Sequence, residues 1–167
     1  MVFSTKIATA AVAGLALSGL WMQGGFAWAK AADPIASLAG RWAGMGSVTP
    51  ASGRKEAFKC VVTYFPSEDL SRVEQNLRCH SDNYKLEAAT HLKIQGSTVS
   101  GRWEDKLNAF TGGVSGNVTS DGFDIHLSGQ FFKAQMTVVS SGCEQSVTVV
   151  PAKADYIREL SATLKKC

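Results

Sequence analysis

Three histidines are the first residues in this sequence that could do acid–base or metal chemistry. His80, His91 and His126 each fall on the polar face of a predicted strand. A metal site would need them to converge, and a general base would need a partner within hydrogen-bond reach. Ser81 and Asp82 follow His80, but adjacent residues of an extended chain point apart and cannot form a triad. We predict no catalytic residue, no metal site and no cofactor, which disfavours an enzyme.

Two acidic pairs could suggest a hydrolase. Glu68 and Asp69 are neighbours, as are Glu104 and Asp105, and both pairs lie at predicted turns or strand ends. A glycosidase needs two carboxylates about 5–9.5 Å apart across a cleft, which adjacent residues do not provide. The glycine-rich run 112–116 lacks the Lys-Ser/Thr and the helix of a phosphate-binding loop. These segments are interpreted as turns and strand bends.

The four cysteines indicate an oxidised structural role. Zinc needs four convergent ligands, and neither Cys-x-x-Cys nor Cys-x-x-His spacing occurs here. An even number of cysteines in an exported chain favours two disulfides, for which three pairings exist. The cysteines are Cys60, Cys79, Cys143 and Cys167.

One pairing follows from a predicted hairpin. Segments 57–65 and 72–80 are rich in β-formers and flank a polar turn. If they pair antiparallel, Cys60 faces Cys79, and partners on one face of such a pair are close enough to be bridged. The same register aligns Val62 with Leu77 and Tyr64 with Gln75. The sequence therefore predicts Cys60–Cys79, and Cys143–Cys167 by elimination.

The first thirty residues have the three zones of a secretory signal peptide. Residues 1–6 carry one positive charge, residues 7–22 carry none, and Ala27, Trp28 and Ala29 form a small-x-small triplet. This order indicates an exported, cleaved leader, and the apolar run is short for a spanning helix of about 20 residues. Cleavage after Ala29 or after Ala31 remains open. We predict a signal peptide at 1–29, periplasmic or secreted localisation, and no stable membrane insertion after cleavage.

The remaining chain suits one domain with little net charge. A polar lead is predicted at 30–37 and a single domain at 38–167, a normal size for one core. The net charge of +3 for the whole chain falls by one when Lys6 leaves with the leader. The charges are scattered, so a nucleic-acid partner is not indicated.

Alternation of apolar and polar residues dominates this domain. In segment 84–94, Leu86 and Leu92 share a mostly apolar face, whereas Lys85 and His91 lie on a charged face, as in a sheet solvated on one side. Gly, Ser, Asn and Asp separate this segment from others like it. The predicted strands are 38–48, 57–65, 72–80, 84–94, 97–103, 112–118, 123–127, 131–139 and 145–150.

These strands predict an all-β fold. An antiparallel sheet of this size must hide its edges, and eight or nine strands can close around an interior wide enough for one small ligand. We predict an up-and-down β-barrel of about eight or nine strands, with a two-sheet β-sandwich as the alternative. The last segment is different: Ile157, Leu160 and Leu164 have helical spacing, with acidic residues early and lysines late. It predicts a C-terminal helix at 154–166.

Gly40, Arg41 and Trp42 begin the first predicted strand. This Gly-x-Trp, the succession of antiparallel strands and the predicted terminal helix together resemble the lipocalin-like (calycin) superfamily. The resemblance implies that Gly40 and Trp42 belong to a motif that closes one end of a small barrel around an apolar cavity. The motif covers three residues, whereas the order of elements covers most of the domain. A second Gly-Arg-Trp at 101–103 has flanks that do not repeat.

The leading functional prediction is an exported protein that binds a small apolar or lipid-like ligand inside the barrel. The alternative is an envelope protein-interaction module, such as a hydrolase inhibitor, acting through loops 66–72 or 107–113. The predicted partner is accordingly a small hydrophobic ligand or an envelope protein. Predicted pocket residues are those expected to face inward: Val62, Leu77, Leu86, Leu92, Trp103, Ile125 and Met136.

Overall fold

The computed structural model describes residues 33–130, 132–153 and 157–167. This part of the chain forms one short helix and ten strands. The helix α1 spans Pro34–Leu38. The strands are β1 (Gly40–Pro50), β2 (Glu56–Pro66), β3 (Arg72–His80), β4 (Lys85–Gln95), β5 (Thr98–Asp105), β6 (Phe110–Val118), β7 (Gly122–Gly129), β8 (Lys133–Ser141), β9 (Glu144–Pro151) and β10 (Ile157–Lys165).

The ten strands form a closed antiparallel barrel. Each strand pairs with its neighbours in sequence, and β1 pairs with β10 to complete the sheet. Closure leaves no edge strand to recruit another chain. The predicted barrel is confirmed, and the single closed sheet excludes the sandwich alternative. The barrel has ten strands rather than the predicted eight or nine.

The tenth strand, Ile157–Lys165, occupies most of the segment for which the sequence predicts a helix at 154–166, and residues 154–156 of that segment lie outside the described residues. Leu160 and Leu164 are four residues apart, a spacing that fits both one helical face and alternate positions of a strand. In the structure Leu164 faces the core and is 2% exposed, whereas Lys165 is exposed. A helix here would leave β1 and β9 as open edges, and β10 pairs with both. Barrel closure therefore overrides the local helical pattern.

The helix α1 directly precedes the first strand of the barrel. The predicted leader at 1–29, and residues 30–32 of the predicted polar lead, lie outside the described residues. The rest of that lead is not extended, because Asp33 caps a helix by accepting hydrogen bonds from the Ile35 and Ala36 amides at 2.8 and 3.3 Å. Ile35 and Leu38 are buried. In the described part of the chain, no helix has both the length and the apolar character needed to cross a membrane.

Trp42 is packed at the end of the barrel beside α1. Its indole is fully buried, and its Nε1 donates a hydrogen bond to the Leu38 carbonyl at 2.8 Å. Lys166 lies on the indole, with Nζ 4.8 Å from the ring centroid, and donates to the Ser37 carbonyl at 2.6 Å. Gly40 begins β1 with a φ of 107°, a conformation that favours glycine. The helix α1 and the residue that follows β10 thus meet at Trp42.

Both disulfides of the sequence prediction are present. Cys60 and Cys79 bridge β2 and β3, with a Cα–Cα distance of 4.1 Å, and they are direct register partners. The predicted pairing of Val62 with Leu77 and of Tyr64 with Gln75 is also the observed one. Cys143, in the turn between β8 and β9, is bridged to Cys167 after β10. This bridge ties the C-terminus to the barrel beside the closing strand.

Candidate ligand-binding site

The inward-facing residues divide the barrel interior into two halves. The closed half lies towards α1, where the odd-numbered strands begin, and its apolar side chains are buried. The open half lies at the opposite end, where most inward-facing apolar side chains are half-buried, although Ala134 is 4% exposed. The closed half contains Trp42, Val62, Tyr64, Val73, Leu92, Val99, Phe123, Ile125, Val138 and Leu164. The open half contains Phe58, Leu77, Leu86, Ala88, Trp103, Leu127, Met136, Val147 and Ala162.

The seven predicted pocket residues are split between these halves. Val62, Leu92 and Ile125 are 1%, 5% and 4% exposed and belong to the packed floor of the closed half. The other four are half-buried in the open half, where solvent reaches them. They are Leu77, Leu86, Trp103 and Met136. The structure therefore places only four of the seven predicted pocket residues together in the open half.

Trp103 lies flat against the inner wall of the open half. Its Nε1 donates a hydrogen bond to the Ser128 carbonyl at 3.2 Å. A Cβ added to Gly112 would lie 2.5 Å from this nitrogen, and one on Gly129 would lie 3.0 Å from the far edge of the indole. Phe132 meets the indole edge-on, at a centroid distance of 6.4 Å. Two glycines therefore create the space that the ring occupies, and a hydrogen bond fixes its orientation.

Phe58 repeats this arrangement on another part of the wall. It faces inward from β2, and a Cβ added to Gly46 on the adjacent β1 would lie 2.4 Å from its ring. The phenyl ring therefore covers a glycine, as the Trp103 indole does. Both aromatic surfaces remain half-buried at the open half. Together they give this half flat apolar walls.

A row of inward-facing residues that can form hydrogen bonds crosses the interior next to these walls. Tyr64, Gln75, Thr90 and Trp103 are successive register partners on β2, β3, β4 and β5. The Tyr64 hydroxyl donates to Gln145 Oε1 at 3.1 Å, and Gln145 Nε2 donates to Ser140 Oγ at 3.1 Å. Burial raises the pKa of the Tyr64 hydroxyl above its ordinary value, and the bond to Gln145 only partly offsets this. This hydroxyl is therefore already engaged.

Gln75 and Thr90 differ from Tyr64 because their side chains have no hydrogen-bond partner among the described residues. In that same part of the chain, no fully buried side-chain nitrogen or oxygen lacks a partner. The Gln75 amide and Thr90 hydroxyl must therefore be reached by solvent from inside the barrel. Both are half-buried. Water, or a ligand that replaces it, has access to this depth.

Charged side chains are confined to the rim of the open half. Glu56 accepts hydrogen bonds from Ser81 and Asn83 beside the mouth. Asp105 accepts from the Leu107 amide at 2.9 Å and from Asn108 Nδ2 at 2.7 Å, which holds the turn between β5 and β6. The inward-facing positions between the rims of the described strands hold no Asp, Glu, Lys or Arg. The interior is therefore apolar, with neutral polar groups.

The histidines lie on the outer surface of the barrel. His91 Nδ1 is 3.8 Å from a Glu74 carboxylate oxygen, and His126 faces Ser115 and Gln135 on neighbouring strands. His80 is exposed at the end of β3. Within the described ranges, no group of three His, Cys, Asp or Glu residues is placed to hold a metal ion.

The predicted pocket residues leave out several residues that shape the open half, namely Phe58, Gln75, Thr90, Gly112 and Phe132. A signal for two of them was present, because Gln75 and Thr90 are polar residues at inward positions of alternating strands. No local pattern marks Gly112, whose role depends on the indole of another strand.

Comparison with known proteins adds fold-level similarity. No protein-family model matches the sequence, and no curated protein matches it. The crystal structure of Rv2717c from M. tuberculosis superposes with a TM-score of 0.66 at 13% identity, covering 80% of this chain and 94% of that chain. The S-type phycobiliprotein lyase CPES from Guillardia theta superposes with a TM-score of 0.57 at 9% identity, covering 80% and 90%. The chain therefore shares the barrel fold of these two proteins.

Proposed function

We propose that this protein is an exported binding protein that holds a small apolar ligand in the open half of its barrel. One observation carries this proposal: apolar side chains face inward yet are only half-buried at one end of a closed sheet. Inward-facing apolar residues with a few neutral polar groups are typical of the lining of small-ligand sites. The contacting residues are Phe58, Leu77, Leu86, Trp103 and Met136, and Val62, Leu92 and Ile125 form the floor beneath them.

Export is part of the same proposal. The three-zone leader at 1–29 predicts it, and the two disulfides are consistent with an oxidising compartment outside the cytoplasm. The similarity to Rv2717c and to the phycobiliprotein lyase supports a barrel that can accommodate a small ligand. We therefore expect the protein to bind its ligand in the periplasm or in the extracellular medium.

The test is titration of the mature protein with N-phenyl-1-naphthylamine, a neutral probe that fluoresces in apolar surroundings. We expect saturable binding that Leu86→Glu weakens by about tenfold or more, because a carboxylate in the open half is costly to desolvate. Lys85→Glu is the matched control, since it adds the same group on the adjacent, outward-facing position. Equal binding by both variants, or no saturable binding by the wild type, would refute the proposal. Independently of this titration, native mass spectrometry of protein purified from its host would show whether the protein retains a ligand.

A second candidate is the protein-interaction module, and one observation favours it. Leu107 and Phe110, in and beside the turn between β5 and β6, are 50% and 52% exposed. Exposed large apolar residues at a loop are frequent in protein interfaces. Affinity purification from the host with wild-type protein and with Leu107→Ser would distinguish this candidate. A protein captured only by the wild type supports it, whereas identical eluates contradict it.

A further inference from the structure

The partnerless pair Gln75 and Thr90 is the feature that the apolar-ligand proposal does not use. They face each other across β3 and β4 on the inner wall, and direct partners have Cβ atoms about 4.5–5.5 Å apart. One ligand group can therefore contact both side chains. On one side of them lies the engaged hydroxyl of Tyr64, and on the other lies the indole of Trp103.

We propose that the open half is selective for an uncharged, planar aromatic ligand whose polar group hydrogen-bonds to Gln75 and Thr90 while its ring stacks on Trp103. This inference rests on the proposed function and deepens it by naming the ligand class. A carboxamide and a hydroxyl each both donate and accept hydrogen bonds. They can therefore satisfy a ligand hydroxyl, carbonyl or amide group.

The charge of the interior excludes an ionised ligand group at this depth. A carboxylate placed beside Gln75 would lose its hydration without meeting a cation, because the inward-facing positions between the rims of the described strands hold no Lys or Arg. A wholly apolar ligand would displace water from Gln75 and Thr90 without replacing its hydrogen bonds. A neutral polar group avoids both penalties.

Trp103 determines the shape of the apolar part. Its indole is held against Gly112 and Gly129 by the hydrogen bond to Ser128, so it presents a fixed flat face to the interior. Offset stacking on such a face favours an aromatic ring over a flexible chain. The row Gln75–Thr90–Trp103 then places the polar contact next to the stacking surface.

Three probes with the same ring test this selectivity: 2-naphthol, 2-methylnaphthalene and 2-naphthoate. With wild-type mature protein at neutral pH, we expect 2-naphthol to bind about threefold to tenfold more tightly than 2-methylnaphthalene, the range for one or two modest hydrogen bonds. We expect 2-naphthoate to bind most weakly. If 2-methylnaphthalene equals 2-naphthol in affinity, or 2-naphthoate binds best, the inference is overturned while ligand binding itself stands. If none of the probes binds, the proposed function fails as well.

Single substitutions test whether Gln75, Thr90 and Trp103 are the residues that contact the ligand. Gln75→Leu and Thr90→Val should each reduce the preference for 2-naphthol and leave the affinity for 2-methylnaphthalene unchanged or higher. Asn76→Leu, on the adjacent outward position, should leave the preference intact. Trp103→Leu should weaken all three probes. An undiminished 2-naphthol preference in both Gln75→Leu and Thr90→Val would overturn the assignment, and the wild-type probe series remains decisive if a variant does not fold.

Discussion

At the scale of single residues, each fully buried side-chain nitrogen and oxygen in the described part of the barrel has a hydrogen-bond partner. Tyr64, Gln145 and Ser140 form a chain of two hydrogen bonds that links β2 to β9 and β8 through the closed half. Gln145 is completely buried. A buried polar atom costs about 1–3 kcal/mol when its partner is removed. This chain therefore stabilises one particular packing of the floor.

Removing both members of the Tyr64–Gln145 hydrogen bond should cost less than the sum of the two single removals. Tyr64→Phe leaves Gln145 Oε1 without its donor, and Gln145→Leu leaves the Tyr64 hydroxyl buried and unpaired, so each should lower the free energy of unfolding by about 1–3 kcal/mol. The double variant Tyr64→Phe/Gln145→Leu should lose clearly less than the sum. Urea unfolding monitored by circular dichroism measures all three. Strict additivity would show that the bond contributes nothing.

Asp69 gives the turn between β2 and β3 a dependence on pH. Its carboxylate accepts hydrogen bonds from the Ser67 hydroxyl at 2.6 Å and from the Ser71 hydroxyl at 2.7 Å, and these bonds lower its pKa from 3.8 to about 2. A lowered pKa in the folded state means that the charged form stabilises the fold. This contribution is complete above the ordinary pKa of 3.8 and disappears as pH falls through about 2.

We therefore expect Asp69→Asn to destabilise the protein near neutral pH and to have progressively less effect between pH 4 and pH 2. Urea unfolding of the wild type and the variant at a series of pH values measures the difference. Glu68→Gln controls for loss of one negative charge in the same turn. A destabilisation by Asp69→Asn that stays constant down to pH 2 would contradict the assignment.

At the scale of elements, glycines let the strands bend and let aromatic rings lie on the sheet. Gly112 and Gly113 are adjacent in β6, yet their surroundings differ. A Cβ on Gly112 would lie 1.8 Å from the Ser128 carbonyl oxygen and would also overlap the Trp103 indole, whereas a Cβ on Gly113 would meet only the Ser128 hydroxyl, at 3.0 Å. The first contact involves rigid backbone, and the second involves a side chain that can rotate.

Gly112→Ala should consequently lower the free energy of unfolding by at least ~2 kcal/mol, as expected for an overpacked interior. Gly113→Ala should cost less than about 1 kcal/mol. Denaturant unfolding measures the stabilities, and the emission spectrum of Trp103 should change only in Gly112→Ala. Equal costs for the two substitutions would mean that the indole does not lie on Gly112.

At the scale of the whole molecule, closure depends on the pairing of the first strand with the last. The C-terminal strand β10 lies between β1 and β9, and Lys166 reaches across to α1 and Trp42. The Cys143–Cys167 bridge, which spans 24 residues, holds this last strand in place. Loss of β10 would expose two sheet edges at once. The stability of the barrel should thus depend on this terminal bridge.

The double variant Cys143→Ala/Cys167→Ala should unfold with a free energy about 3 kcal/mol lower, the value that loop-closure entropy predicts for a bridge of this span. Hydrogen exchange should accelerate most for amides of β10 and of its neighbours β1 and β9. Cys60→Ala/Cys79→Ala is the comparison, because that bridge joins adjacent strands of one hairpin. Uniform acceleration throughout the barrel in both variants would contradict a specific role in closure.

Nine of the ten described strands, the inward and outward faces and the Cys60–Cys79 register could be predicted from the sequence, because strand alternation is a local property that neighbouring residues express directly. The sequence also predicted a barrel and the direction in which Leu77, Leu86, Trp103 and Met136 point. That residues 157–165 form a strand follows only from the tertiary structure. The spacing of Leu160 and Leu164 fits both a helix and a strand, and the strand forms because it pairs with β1 and β9, which would otherwise have open edges. The tertiary structure also decided that Val62, Leu92 and Ile125 are packed while Trp103 is accessible. Depth inside a barrel depends on strand tilt and on what covers its ends, and the local alternation of residues specifies neither of these.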